Sequence, residues 1–234
     1  MSSTPTMRAV LRNPVSQVHL LGGNKLASSR TPDDTPIVYV VDSDRSEKEG
    51  LELLIRSEGW HPQVLGTVHE LLNRPCKLVP SCLILNFSQD CGMLEIGKRV
   101  TAERPEIPVI LITSFGDVRM AVEAIKSGAI DFFLKPFSKD ALRRAMSESL
   151  ECSRKTLDRE MEMRGLRTCY ASLSHRERQV MRLVVAGLLN KQVGGELGIS
   201  EITVKAHRRR VMQKMQANSL PELVRMDGEL RAAA

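Results

Sequence analysis

Two sets of side chains in this sequence have the types and spacing to do chemistry. The first lies in Ser200–Lys214, S-E-I-T-V-K-A-H-R-R-R-V-M-Q-K. Stepped at about 100° per residue, Val204, Val211 and Met215 fall on one stripe, with Met212 beside it. Ile202, Lys205, Ala206, Arg209 and Gln213 fall on the opposite face. That face carries two cations, an amide and small or apolar groups, and the stretch has no acid after Glu201. Such a mixture suits base-pair edges in a major groove: cations for guanine, an amide for adenine, apolar groups for thymine methyls. The second set ends four short apolar runs. Ile37–Val41 ends at Asp42, Cys82–Leu85 at Asn86, Pro108–Ile112 at Thr113, and Ile130–Leu134 at Lys135. As strands of one parallel sheet, these runs bring a carboxylate, an amide, a hydroxyl and an ammonium to the carboxyl edge, where open α/β sheets hold their ligands.

The elements needed to position both sets can be read from periodicity. The apolar runs alternate with helical segments near 45–58, 67–73, 93–103, 117–127 and 138–152, with a weaker strand at Pro62–Leu65. Continuous apolar strands separated by helices predict an α/β doubly wound fold with a five-stranded parallel sheet buried on both faces. Beyond it the pattern becomes all-α. Leu173–Gly187 reads as a helix stopped by Gly187, and Lys191–Leu197 as a short helix. Gly198 then makes a tight turn, and Ser200 caps the stretch described above. Two helices joined by a short Gly-containing turn make a helix-turn-helix; the plainer alternative is a small three-helix bundle with a charged face. Between the halves, Ala141–Leu166 repeats Leu142, Met146, Leu150, Leu157 and Met161. The earlier ones are expected to pack on the sheet half, and the later ones could form a short coiled seam between two chains.

The totals fit this division. The 234 residues suffice for two small domains. The formal net charge is +6, and from Arg167 onward there are 12 Lys and Arg against 6 Asp and Glu, leaving 22 of each for residues 1–166. The whole positive excess sits with the helix-turn-helix, the footprint expected of phosphate binding. No apolar run approaches membrane-spanning length, the first 35 residues have no apolar signal core, and the five cysteines show neither metal spacing nor a disulfide framework. A cytoplasmic protein without cofactor or resident metal is expected. Residues 1–35, rich in Ser, Thr, Pro, Asn and Gly, read as a mobile tail, with a basic arm on DNA as the alternative. The expected division is tail 1–35, sheet domain 36–150, helical linker 151–166 and helix-turn-helix domain 167–234.

From Leu173 to Met226 the segments L-S-H-R-E-R-Q-V, A-G-L-L-N-K-Q-V, L-G-I-S-E-I-T-V-K-A-H-R-R-R-V-M-Q-K-M and S-L-P-E-L-V-R-M resemble the LuxR/NarL/FixJ-type DNA-binding domain. The resemblance implies that Lys205, Ala206 and Arg209 face base edges and that Thr203 and His207 lie near the DNA backbone. Gly194-Gly195 departs from the family, which usually has Ala there; each Gly should cost roughly 1 kcal/mol of helix stability. The strand ends, with T-S-F-G-D-V-R-M-A-V-E-A-I-K-S-G-A-I-D-F-F-L-K-P-F, resemble the flavodoxin-like receiver domain of two-component response regulators over about residues 36–150, FixJ-type in particular. The resemblance makes Thr113 and Phe132 the hydroxyl and aromatic switch positions, and Lys135-Pro136 the Lys before a cis-Pro turn.

The departure that matters lies at the strand ends. The family takes a phosphoryl group onto an Asp at the end of its third strand, with two acids at the end of the first holding Mg²⁺. Here the acceptor position is Asn86 and the acid pair is Asp42-Ser43. An amide cannot form the acyl phosphate. With Asp42 as the one remaining carboxylate, Mg²⁺ binding is expected to be weak or absent, and Lys135 is expected to pair with Asp42. The loop S-Q-D-C-G-M after Phe87 also departs from the family, which leaves Asp90 or Asp44 as rival acceptors and Cys91 as a redox alternative. The sequence therefore predicts a non-enzymatic, DNA-binding transcription regulator that dimerises on DNA and acts without aspartyl phosphorylation. Its alternative is a protein-interaction or redox- or ligand-controlled module whose receiver face around Phe132 binds a partner, with DNA contact secondary.

Overall fold

The computed structural model describes residues 35–42, 45–87 and 92–233. Expectations placed on the first 34 residues, on Ser43 and Asp44, and on Asp90 and Cys91 lie outside that set. Five strands, β1 (Ile37–Asp42), β2 (His61–Leu65), β3 (Ser81–Phe87), β4 (Val109–Thr113) and β5 (Asp131–Leu134), form one parallel sheet in the order β2-β1-β3-β4-β5. Helices α1 (Arg45–Ser57), α2 (Val68–Leu72), α3 (Met93–Glu103), α4 (Val118–Lys126) and α5 (Lys139–Ala171) alternate with them. The expected five-stranded doubly wound architecture is the one observed. The weak strand, His61–Leu65, is an edge strand that among the described residues pairs only with β1, where Pro62 is tolerated.

Side chains of alternate parity leave the sheet on opposite faces. Tyr39, Val41, Leu83, Leu85 and Leu111 build one core with Leu71, Val100 and Ala124. Val38, Val40, Ile84, Ile110 and Ile112 build the other with Ile55, Leu142 and Met146. Every residue of β1 and β4 is buried, which is why these runs are uninterrupted rather than alternating. Cys82 lies in the second core, and burial pushes its thiol far above the ordinary range.

Helix α5 is 33 residues long, about 50 Å at the usual rise. Over residues 142–157 it buries Leu142, Ala145, Met146, Ser149, Leu150, Ser153 and Leu157. The Ser153 hydroxyl accepts from the Ser81 amide (2.9 Å) and donates to the Glu106 carbonyl (2.6 Å), pinning the helix to the starts of β3 and β4. Leu157, expected as part of a seam between two chains, is instead buried within its own, because the apolar stripe stays on one face of the helix for that long; Met161 remains exposed. The helix then runs on without a break, and Leu166, Cys169 and Tyr170 join the core of the C-terminal half.

That half contains α6 (His175–Val185), α7 (Asn190–Leu197), α8 (Glu201–Met215) and α9 (Leu220–Ala232). The first three match the expected helices; α9, capped by Ser219 with Pro221 in its first turn, lies outside the helices that periodicity predicts. One core gathers Leu173, Met181, Val211, Met215 and Leu223, a second Val180, Val184, Val193 and Val204.

Candidate functional site

The first site is the outer face of α8. Ser200 caps the helix, its hydroxyl accepting from the Thr203 amide (3.2 Å), and Gly198 ends α7 in the left-handed conformation at φ 64°. Val204, Val211 and Met215 are buried. Ile202, Thr203, Lys205, Ala206, Arg209 and Gln213 are all exposed, Ile202 to 79%. Lys205 is paired with Glu201 (2.9 Å), one turn back on the same face. Arg209 has no ion pair among the described residues. Thr203 shares its hydroxyl with Ser200 (2.7 Å), and His207 is half-buried with Nδ1 enclosed and unpartnered among the described residues.

Two features behind this face escape a wheel projection. Arg208 donates to the Asn190 side chain (3.1 Å), tying α8 to the first residue of α7. Lys214 donates to Glu177 (2.7 Å) and to the Ser172 carbonyl (3.0 Å), tying the end of α8 to the start of α6. Glu177 also accepts from the Ser174 amide, closing a capping box. The Lys214 ammonium and the Ser174 amide together hold the Glu177 carboxyl down at about 2. Neither tie follows from the periodicity of one helix, because each joins residues 18 or more apart.

The second site is the carboxyl edge of the sheet. Register sets Asp42 beside Asn86, and Thr113 beside both Phe87 and Leu134. Asn86 is 2% exposed. Its amide nitrogen donates to Asp42 Oδ2 (2.6 Å) and to Glu47 Oε2 (2.5 Å). Lys135 donates to the same Glu47 oxygen. Two expectations are therefore corrected. Among the described residues the crevice holds two carboxylates rather than one, and Lys135 pairs with Glu47, which the first turn of α1 swings into reach. Glu47 lies outside the set of strand ends, since it enters from the first turn of a helix five residues after Asp42. Turning the Asn86 amide over would aim its carbonyl oxygen at two carboxylates, so the network fixes its orientation. Asn86 Oδ1 is left buried without a partner among the described residues.

Thr113 reaches the same edge, but its hydroxyl is spent locally. It accepts from the Phe115 amide (3.1 Å) and donates to the Phe115 carbonyl (3.0 Å). Phe132 is half-buried against the core beside Gly116. Lys135-Pro136 is cis. Among the described residues no three His, Cys, Asp or Glu side chains form a metal-holding group. A divalent cation placed between Asp42 and Glu47 would have to displace both the Asn86 amide and the Lys135 ammonium.

A third feature is apolar surface. Val118 (80% exposed), Val122 and Ile125 line the outside of α4, with Phe115 before it and Leu134 nearby at the end of β5. No described helix is long and apolar enough to cross a membrane.

Residues 38–147 match the response regulator receiver domain, and residues 171–227 match the bacterial regulatory proteins of the luxR family. Over 88% of its length the chain is 37% identical to response regulator protein TmoT of Ectopseudomonas mendocina, covering 94% of that protein. It is 39% identical to nodulation protein W of Bradyrhizobium diazoefficiens over 91% of the chain and 92% of the relative. It is 36% identical to the transcriptional regulatory protein FixJ of the same species over 81% and 93%. Among solved structures, response regulator StyR superposes with a TM-score of 0.71 at 38% identity, covering 83% of this chain and 99% of that one.

Proposed function

The chain belongs to the two-component response regulators that carry a LuxR-type DNA-binding domain, transcription factors rather than enzymes, and from that premise we propose that it reads operator DNA through α8 without needing aspartyl phosphorylation. Base edges are read by Lys205, Ala206, Arg209, Ile202 and Gln213; Thr203 and His207 stand by the phosphate backbone. The observation that carries the DNA reading is the split of α8, with Val204, Val211 and Met215 buried and the whole Ile202–Lys205–Arg209 face open. The observation that carries phosphorylation independence is Asn86, an amide held by two carboxylates at the position of the family's acceptor. Asp42, Ser43, Thr113, Lys135 and Phe132 are then remnants of a phosphorylation site. Mg²⁺ binds weakly, because hard anionic oxygens are already engaged by an ammonium and an amide.

Functionally the chain divides into a tail to residue 35, a receiver from 36 to 150, a helical linker from 151 to 166 and a DNA-binding domain from 167. It works in the cytoplasm, as a homodimer on paired half-sites. Selecting bound duplexes from a random library with untreated full-length protein tests the reading, with a recovered sequence motif as the expected result. Intact mass after acetyl phosphate and Mg²⁺ should be unchanged; a stable adduct of about 80 Da, the mass of one phosphoryl group, would overturn the loss of the acceptor.

A second reading is favoured by the apolar strip of Phe115, Val118, Val122 and Ile125, which fits a protein partner on the receiver. Under it, truncating Val118 and Val122 to Ala abolishes regulation while leaving affinity for the selected duplex intact.

A further inference from the structure

We propose that Glu47 is a resident counter-anion, giving Lys135 the oxygen that a phosphoryl group would otherwise bring and clamping α1 to the junction of β5 and α5. The inference rests on the reading of Asn86 as a residue that accepts no phosphoryl group. Glu47 Oε2 is shared by two donors, the Asn86 amide and the Lys135 ammonium, which come from the ends of β3 and β5. The acid itself stands on the first turn of α1, and α1 is fixed in the sheet core by Leu51 and Ile55. Three elements therefore meet on one oxygen.

The exchange at residue 86 is what admits this acid. An aspartate there would set a third carboxylate against Asp42 and Glu47, and three such groups stay together only around a cation. An asparagine supplies instead the N–H that both acids accept. The loss of the acceptor and the entry of Glu47 thus form one device: the neutral amide removes a negative charge and the helix returns it, already paired. The clamp also lies at the root of the molecule's longest element. Lys135 follows β5 directly, and α5 begins four residues later and runs on into the DNA-binding half.

Hydrogen–deuterium exchange on the full-length protein, without metal, phosphodonor or DNA, tests the clamp. Glu47→Ala and Lys135→Met should each speed exchange at the amides of residues 134–145 at least fivefold. The double variant should be no faster than either single one, because both remove the same contact. Should Glu47→Ala fail to fold, Glu47→Gln serves, with an increase of at least twofold. Inorganic phosphate at constant ionic strength gives a second readout. It should leave the melting of the wild-type protein unmoved, raise that of Glu47→Ala, and leave the double variant unmoved. Unchanged exchange in the single variants, a double effect equal to the product of the two, or a wild-type response to phosphate as large as that of Glu47→Ala would each overturn the clamp. A phosphoryl adduct found by mass would defeat the reading of Asn86 while leaving the exchange results to stand, so the two fail separately.

Discussion

A methyl group added at Gly194 would meet the Ile199 carbonyl oxygen at 2.8 Å, a backbone atom that cannot swing away, whereas one at Gly195 meets nothing within 4 Å. The two glycines therefore have different reasons to be there, although the sequence presents them as one soft spot. Gly195→Ala should stabilise the C-terminal half by about 0.4–1 kcal/mol, by restricting the unfolded chain and favouring helix. Gly194→Ala should destabilise it by about 1–3 kcal/mol through overpacking. Urea denaturation of both variants measures the signs; stabilisation by both would show that α7 can move away from the turn. On the exposed face of α8, Lys205→Ala or Arg209→Ala should each cost about 1–3 kcal/mol on the selected duplex and blur its sequence preference. Competition between selected and random duplexes checks this, and equal losses on both would assign these cations to phosphate instead.

At the scale of elements, α6 and α8 are joined through one carboxylate. Glu177 caps α6 and receives the Lys214 ammonium from the last turn of α8. Its carboxyl is held down at about 2, so it binds its proton less readily in the folded chain than in the unfolded one. The stability it contributes is complete above the unfolded value of about 4.5, and is lost as pH falls from there towards about 2. Denaturation of the C-terminal half followed from pH 6 downward should show that loss, and Glu177→Gln should flatten it while costing about 1.5–3 kcal/mol at neutral pH, the usual worth of a hydrogen bond to a charged group. The elements themselves were legible from one dimension. Uninterrupted runs such as Ile37–Val41 mark the buried strands, and the 3.6-residue period gives α5 and α8 their inward faces. What periodicity missed was side-chain traffic between elements. Glu47 reaching Asn86, Arg208 reaching Asn190 and Lys214 reaching Glu177 all depend on how helices lie on their neighbours, and no spacing within one segment records that.

The whole molecule carries its charge asymmetrically, with an excess of 6 positive charges from Arg167 onward and none before it. Binding to any duplex should therefore weaken steeply with salt, with the logarithm of the association constant falling linearly against that of salt concentration by about 0.9 per phosphate neutralised. A titration at several salt concentrations measures this. A flat dependence would mean that the basic half does not grip phosphates, and would favour the partner-binding alternative. The receiver's output was the part least legible in advance. Periodicity leaves Leu157 open to a second chain, whereas the fold buries it within its own.

The serine at position 153 stitches α5 to the backbone where β3 and β4 begin, while Lys135 sits just ahead of the helix at the opposite rim of the sheet. The rod is thus seated at two heights before it leaves the receiver, and what leaves is a lever. The part beyond Ser153, as far as Ala171, is about 27 Å long, so a tilt of about 5° at the seat carries the far tip through about 2 Å. If two copies occupy paired half-sites, as proposed above, a rocking at the seat would shift the spacing of their reading heads along the duplex.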